Sequence, residues 1–174
     1  MIEFIPFVEE HIPLMLTWLS DGEALRWCGH NKPNSEAQLR QKYLIDKPKG
    51  GTHSFIIQNK GEPVGYIQYY RVIDYPEWSS LVAGEPGDYG LDLFIGRDDL
   101  IGQGIGTRVL QVALSELIFS HDDATRCILG PSPENKRAIR CYKKCGFRHI
   151  RTVISDNGER EYLMVRERKK RALY

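Results

Sequence analysis

Residues 101–107, Ile101-Gly102-Gln103-Gly104-Ile105-Gly106-Thr107, follow an apolar run with strand character and open a run with helical periodicity. Alternate glycines let a backbone turn sharply and approach a ligand within hydrogen-bonding distance. The helix that follows aims its unpaired N-terminal amides and positive dipole end at an anion. The loop is therefore a candidate cradle for a pyrophosphate, and dinucleotides and coenzyme A are the two ligand classes that fit. A Rossmann fingerprint reads G-x-G-x-x-G, whereas Gly102, Gly104 and Gly106 alternate and no glycine follows at the required offset. A Walker loop also fails, because no Gly-Lys-Ser/Thr follows. An ordinary glycine-rich strand-to-helix turn has the same composition, so the loop needs support from elsewhere in the chain.

That support lies downstream, in Asn135-Lys136-Arg137-Ala138-Ile139-Arg140-Cys141-Tyr142-Lys143-Lys144-Cys145-Gly146-Phe147, which reads as a helix stopped at Gly146. Its spacing puts Asn135, Ala138, Ile139, Tyr142 and Cys145 on one face. With a strand, a glycine loop and helix, a further strand and an N-x-x-A-x-x-x-Y-x-x-x-G-F helix in that order, the chain resembles the GNAT acyltransferase superfamily. The stretches Gly61-Glu62-Pro63-Val64-Gly65-Tyr66-Ile67-Gln68 and Pro131-Ser132-Pro133-Glu134-Asn135 up to Tyr142 are similar to the aminoglycoside 6′-N-acetyltransferases within it. Trp27-Cys28-Gly29 and Tyr89-Gly90-Leu91-Asp92 fall where that subfamily carries a tryptophan-rich turn and a buried aspartate. There are three departures. Ile101 stands where many members have Arg or Gln, Gly130 where relatives often carry an aspartate that holds substrate amines, and Asn157 in a turn where another acid is common.

The resemblance implies an α/β (α+β) fold, a GNAT-like mixed, mostly antiparallel central sheet flanked by helices, in one domain spanning residues 1–174. It implies acetyl-CoA as cosubstrate and no metal. Backbone amides of Leu93, Phe94 and Ile95 would pair with the pantetheine arm. Gly102, Gln103, Gly104, Ile105, Gly106 and Thr107 would hold the pyrophosphate, and Asn135 would hydrogen-bond the coenzyme arm. The acceptor would be an aminoglycoside-like amine, and antibiotic resistance the consequence. Two other readings stay open: acetylation of a peptide or another small amine, and an acyl-CoA-binding sensor without turnover.

Composition agrees with a single domain. A chain of 174 residues with 41% hydrophobic content has enough apolar surface for a core. A formal charge of +1 gives no global reason to expect nucleic acid or membrane as partner. The basic run Arg166-Glu167-Arg168-Lys169-Lys170-Arg171 reads as a frayed, solvated C-terminus. Residues 1–7 lack a basic, apolar leader, and no window approaches the ~20 apolar residues of a membrane span. The expectation is a cytoplasmic monomer or homodimer. Cys28, Cys127, Cys141 and Cys145 form no C-x-x-C pair, and the five histidines lack metal-ligand spacing, so reduced structural thiols are expected.

Periodicity predicts a strand over residues 3–8, a helix over 10–19 and a helix from the capping box Ser35-x-x-Gln38 to Pro48 and Gly50. Strands 53–58 and 63–72 form a hairpin about Asn59-Lys60-Gly61. Further strands are expected at 90–95, 126–129, 148–154 and 161–166, with a helix over 107–119.

Acyl transfer to an amine needs a neutral nucleophile, yet an alkyl amine with a pKa near ~10 is about 99.9% protonated at pH 7. A carboxylate beside the ammonium attracts it and accepts its proton, directly or through water. Asp92 is the candidate. It interrupts the apolar strand Leu91-Asp92-Leu93-Phe94-Ile95, where an unpaired carboxylate is costly unless it faces a partner or a cleft; the alternative is a strand-end acid facing water. Tyr142 is the candidate acid for the departing thiolate, with a core tyrosine as the alternative. Asp74, Glu77, Glu85, Asp88 and Asp92, with Tyr75, Trp78 and Tyr89, fall between Arg71 and Arg97 in a stretch free of Lys and Arg, a composition that suits a polycationic acceptor. A solvated acidic loop has the same composition. Trp27, Tyr43 and Tyr66 are candidates to complete the acceptor pocket, with Glu77 and Trp78.

Overall fold

The structure is a computed structural model describing residues 1–28, 35–47 and 51–169. Gly29, the helix stop at Pro48 and Gly50, and Lys170 and Arg171 of the basic run lie outside the described residues. Seven strands occur among those described: β1 (Ile2–Pro6), β2 (Thr52–Asn59), β3 (Glu62–Arg71), β4 (Asp88–Ile95), β5 (Arg126–Leu129), β6 (Arg148–Ile154) and β7 (Arg160–Glu167). They hydrogen-bond in the order β1-β2-β3-β4-β5-β7-β6. The β4–β5 pair is parallel, whereas β1–β2, β5–β7 and β6–β7 are antiparallel. Six α-helices accompany them: α1 (Ile12–Ser20), α2 (Gly22–Cys28), α3 (Glu36–Arg40), α4 (Pro76–Val82), α5 (Ile105–Ala113) and α6 (Lys136–Lys144). The mixed, mostly antiparallel sheet with helices is the expected fold. Among the described residues no helix is long and apolar enough to cross a membrane.

The chain forms two compact units, Met1–Tyr69 with Asp92–Val109, and Tyr70–Leu91 with Leu110–Tyr174. In the first, Ile12, Met15 and Leu19 of α1 pack with Leu39, Ile56 and Phe94, all buried. Each such aliphatic side chain contributes roughly 1.5–3 kcal/mol over leaving it exposed. Lys60 and Gly61, both with positive φ (54° and 81°), close the β2–β3 hairpin as a tight turn. The Ser35 capping box forms as expected: Gln38 N–H donates to Ser35 Oγ at 3.2 Å, and Ser35 N–H to Gln38 Oε1 at 2.9 Å.

In the second unit, Val72, Val82, Ile128, Leu163 and Val165 form the core, with Trp78 packed against them. Asp88 is 1% exposed, and Arg126 grips it through two hydrogen bonds of 2.7 and 2.6 Å. The register Asp88↔Arg126 places the two residues opposite each other on β4 and β5.

Several elements differ from expectation. The Trp27-Cys28 segment is not a turn but the end of α2. The stretch expected as an acidic, acceptor-facing loop contains α4, and Asp88 within it is a buried partner of Arg126 rather than a ligand for cations. The 10–19 helix starts as a 3-10 turn at Glu9–His11 and becomes α-helical at Ile12, with Pro13 in its first turn. The C-terminal run is ordered through Arg168, whose guanidinium donates to Asp122 O at 3.0 Å and to Phe119 O, while Arg166 donates to Cys145 O. Loss of solvated freedom there reflects the β5–β7 ladder, which reaches Glu167.

Candidate active site

Asp92 lies on β4 in the first unit. Alternation puts its side chain on the face of β4 that carries Phe94, a core residue, and opposite that of Leu91 and Leu93, so the carboxylate lies at the margin of the first unit's apolar core. Its residue surface is accessible, yet burial is the largest influence on its carboxyl and lifts it above the usual carboxylate range. The carboxyl is thus crowded by surrounding protein while part of the residue stays open to solvent. Two influences act the other way: the Gln68 side-chain N–H, donated to Asp92 Oδ2 at 2.9 Å, and the Lys42 charge.

Gln68 is held in turn. Its Oε1 lies 2.8 Å from the Tyr66 hydroxyl, which lies 2.9 Å from Ser54 Oγ. The Lys47 ammonium donates to Ser54 Oγ and, at 3.3 Å, to Tyr66. Burial lowers the Lys47 pKa to about 8. Tyr66, expected in the acceptor pocket, is 2% exposed with its ring in the core, which gives it the role of fixing Gln68. Gln68, Ser54 and Lys47 were not anticipated. The period-2 spacing of Tyr66 and Gln68 on β3 is the one signal in the sequence that could have found Gln68. Replacing Gln68 with Leu removes a donor that favours the charged carboxylate, so the acid limb of the kcat/KM profile moves to higher pH. A limb that stays in place in the pH–rate profile contradicts the Gln68–Asp92 coupling.

A π-helical turn, Gln41–Ile45, extends α3 and carries Tyr43 into the same neighbourhood. Burial, then the Cys28 thiol and Asp92, push the Tyr43 hydroxyl above its usual value. Burial, then the Asp92 charge, push the Cys28 thiol up to about 12, which makes it an inert thiol. Trp27 uses its indole N–H within α2, donating to Glu23 Oε2 at 2.9 Å, and its ring sits 4.7 Å from the Arg26 guanidinium.

The glycine loop follows β4. Gly102 and Gly104 adopt φ of +82° and +78°, and an added Cβ at either would meet no atom within 4 Å. Their requirement is conformational, and the space above them is open. Gln103 is tied back, its amide donating to Asp99 O at 2.6 Å. The Arg108 N–H donates to Gly104 O at 3.2 Å, so α5 winds up directly from the loop. Ile105 and Gly106 begin that helix, where amides precede any intrahelical acceptor. Left-handed glycines, open space and a helix start fit a pyrophosphate. A Gly104→Val substitution puts a β-branched residue at positive φ, at a cost of about 1–2 kcal/mol, and crowds the cradle. Calorimetric titration is expected to show coenzyme A binding roughly tenfold weaker, and unchanged affinity contradicts the assignment. The β4–β5 ladder ends at Gly90↔Ile128, so residues 91–95, with Leu93, Phe94 and Ile95, continue β4 with that edge off the ladder.

Asn135, Tyr142, Glu77 and Trp78 belong to the second unit. Asn135 N-caps α6, its Oδ1 accepting the Ala138 N–H at 3.1 Å, a structural duty added to the coenzyme contact expected of it. Tyr142 is half-buried on α6, its ring 5.9 Å from that of Phe147. Gly146, at φ +86°, ends the helix as the sequence indicates. On α4, Glu77 is exposed and Trp78 half-buried. The Trp78 indole N–H is buried and meets no acceptor among the described residues. Glu161 on β7, not anticipated, brings its carboxylate against Gly130. No group of three or more His, Cys, Asp or Glu among the described residues could hold a metal ion.

Comparison with known proteins gives this geometry a family. The acetyltransferase (GNAT) domain profile matches residues 8–154. Aminoglycoside N(6')-acetyltransferase type 1 of Klebsiella pneumoniae is 30% identical over 158 residues, which cover 90% of this chain and 78% of that protein. A kanamycin resistance protein of Rhizobium radiobacter is 39% identical over 80 residues, covering 46% of this chain and 73% of its own length. The crystal structure of aminoglycoside acetyltransferase AAC(6')-Ib in complex with coenzyme A and kanamycin superposes with a TM-score of 0.85 at 28% identity, covering 97% of this chain and 96% of that one. Fold, glycine loop and relatives agree, and the chain belongs to the GNAT acetyltransferase family.

Proposed function

We propose that this chain is an acetyl-CoA-dependent N-acetyltransferase that modifies an aminoglycoside, at its 6′-amine, and thereby confers resistance. The observation that carries the reading is Asp92, a deep-set carboxylate fixed by Gln68 on the strand that runs into the pyrophosphate loop. The names and ligands of the relatives support the choice of acceptor. The whole chain acts as one domain, in the cytoplasm, as a monomer or homodimer.

Acetyl-CoA, when bound, supplies the acetyl group as an activated thioester. The loop glycines and the first amides of α5 hold its pyrophosphate, and the open edge of β4 at residues 91–95 offers backbone groups to an amide-bearing arm. Asp92 attracts the acceptor ammonium and takes one proton from it, directly or through water. The neutral nitrogen then forms the C–N bond as the C–S bond breaks. Tyr142 donates its hydroxyl proton to the departing thiolate, whose conjugate thiol has a pKa near ~8.5; the second proton, shed by the acylated nitrogen, returns the Tyr142 phenolate to its neutral form, and Asp92 releases its proton to solvent. The raised carboxyl of Asp92 serves this cycle, since a base closer in strength to its operating pH transfers protons more effectively in both directions.

Expression in a susceptible bacterium tests the reading. Wild-type protein is expected to raise the kanamycin concentration that stops growth, and the Asp92→Asn variant, present at equal level, to leave it at background. Unchanged susceptibility with abundant folded wild-type protein overturns the assignment.

A further inference from the structure

A line of polar side chains within the first unit runs from Lys47 through Ser54 on β2 and Tyr66 and Gln68 on β3 to Asp92 on β4. The half-buried Lys47 ammonium donates to Ser54 Oγ and, at 3.3 Å, to the Tyr66 hydroxyl oxygen. Tyr66 has one hydroxyl proton, and both Ser54 Oγ at 2.9 Å and Gln68 Oε1 at 2.8 Å lie within its reach. It cannot serve both. Gln68 has a similar choice: turning its amide over replaces the N–H that meets Asp92 Oδ2 at 2.9 Å with an oxygen.

We infer that Lys47 is a positioning residue for Asp92: its ammonium, acting through Ser54, Tyr66 and Gln68, decides which way the Gln68 amide faces and so keeps Asp92 a carboxylate. The inference rests on the role proposed above for Asp92 as the base.

An ammonium has three donors and no acceptor, which settles the direction of every bond in the line. Ser54 Oγ, receiving from Lys47, turns its own proton to Tyr66 Oη, and Tyr66 sends its proton to Gln68 Oε1. The amide oxygen is thereby held on the Tyr66 side and the N–H on the Asp92 side, where a donor favours the charged carboxylate. Without the ammonium, Tyr66 can donate to Ser54 instead, the Gln68 oxygen loses its donor, and a turned amide sets oxygen against oxygen at Asp92. The carboxylate is then disfavoured. Burial lowers the Lys47 pKa to about 8, which leaves it an ammonium across the acid limb. Lys42 from the Gln41–Ile45 turn also favours the carboxylate, and its charge is unaltered in the variants below. The Cys28 thiol and the Tyr43 hydroxyl, both pushed up first by burial, stay neutral across that limb.

The test is a double-mutant cycle of Lys47→Met and Gln68→Leu, with thermal melts checking folding. It is read by the acid limb of kcat/KM for thiol release from acetyl-CoA with kanamycin, and by carbon NMR titration of the Asp92 carboxyl in the free protein. Lys47→Met alone is expected to move both to higher pH by about half a unit, roughly a threefold loss of kcat/KM on the limb. In the Gln68→Leu background the same substitution is expected to add less than about 0.2 unit, because the line is already cut. A folded Lys47→Met protein with an unmoved Asp92 titration overturns this inference and leaves the base assignment standing. An equal movement in both backgrounds also overturns it, since a charge acting through space needs no Gln68. A wild type that releases no thiol, while its Asp92 titration stays coupled to Lys47 through Gln68, overturns the proposed activity alone.

Discussion

Replacing Asp92 with Asn is expected to lower kcat by about 10²- to 10⁴-fold, the range of a lost general base, while coenzyme affinity stays within about twofold. The variant keeps the side chain's shape, and Gln68 can turn its amide to suit, so the loss isolates charge and basicity. It carries a second, less obvious consequence. Burial holds the Asp92 carboxyl above its ordinary value of 3.8, so the native state binds more protons than the unfolded chain just above that pH. Stability therefore falls as pH rises through the interval between the unfolded and folded values, and the cost persists at neutral pH. Asn removes it. The Asp92→Asn protein is expected to melt higher than wild type at pH 7 and to lose that advantage near pH 4. A variant that keeps turnover, or one that melts lower at pH 7, contradicts the description of Asp92 as a destabilising, deep-set base.

The largest stability effect is expected in the second unit. Arg126→Met strands the Asp88 carboxylate, whose side chain is 0% exposed against 29% for its partner. Removing one member of a buried pair costs about 3–5 kcal/mol, and the partial exposure of Arg126 places this case near ~3 kcal/mol. For a domain of this size that is a fall in Tm of roughly 6–12 °C. The Glu85 N–H, which donates to Asp88 Oδ2 at 2.8 Å, tempers the loss without cancelling it. Adding Asp88→Asn to Arg126→Met removes the stranded charge and is expected to recover part of the stability. A single variant with unchanged Tm contradicts the assignment of Asp88 as a structural acid.

Much of this was legible in the sequence where local chemistry decides structure. The β5 and β6 bounds, the Ser35 capping box, the hairpin at Lys60-Gly61 and the α6 stop at Gly146 follow from β-rich runs, reciprocal caps and positive φ. Helices α2 and α4, seven residues each, are too short for periodicity to register, and α4 opens with Pro76 and stops at Ala83 in the left-handed region. Asp92 stood out because a charge in an apolar strand demands a reason. Asp88 looked like the same kind of residue, and only the strand register shows that Arg126, 38 residues away, faces it. Gln68 and Lys47 escaped notice for a related reason: each matters through what a neighbouring strand places beside it, and pairing across strands leaves no local mark.

The most direct measurement is steady-state thiol release from acetyl-CoA with a matched pair of aminoglycosides, one bearing a 6′-amine and the other a 6′-hydroxyl, followed by mass analysis of the product. Rapid release with the amine, one added acetyl group on it, and no release with the hydroxyl is the predicted result. Equal release with both, or binding of acetyl-CoA without release from either, would contradict it.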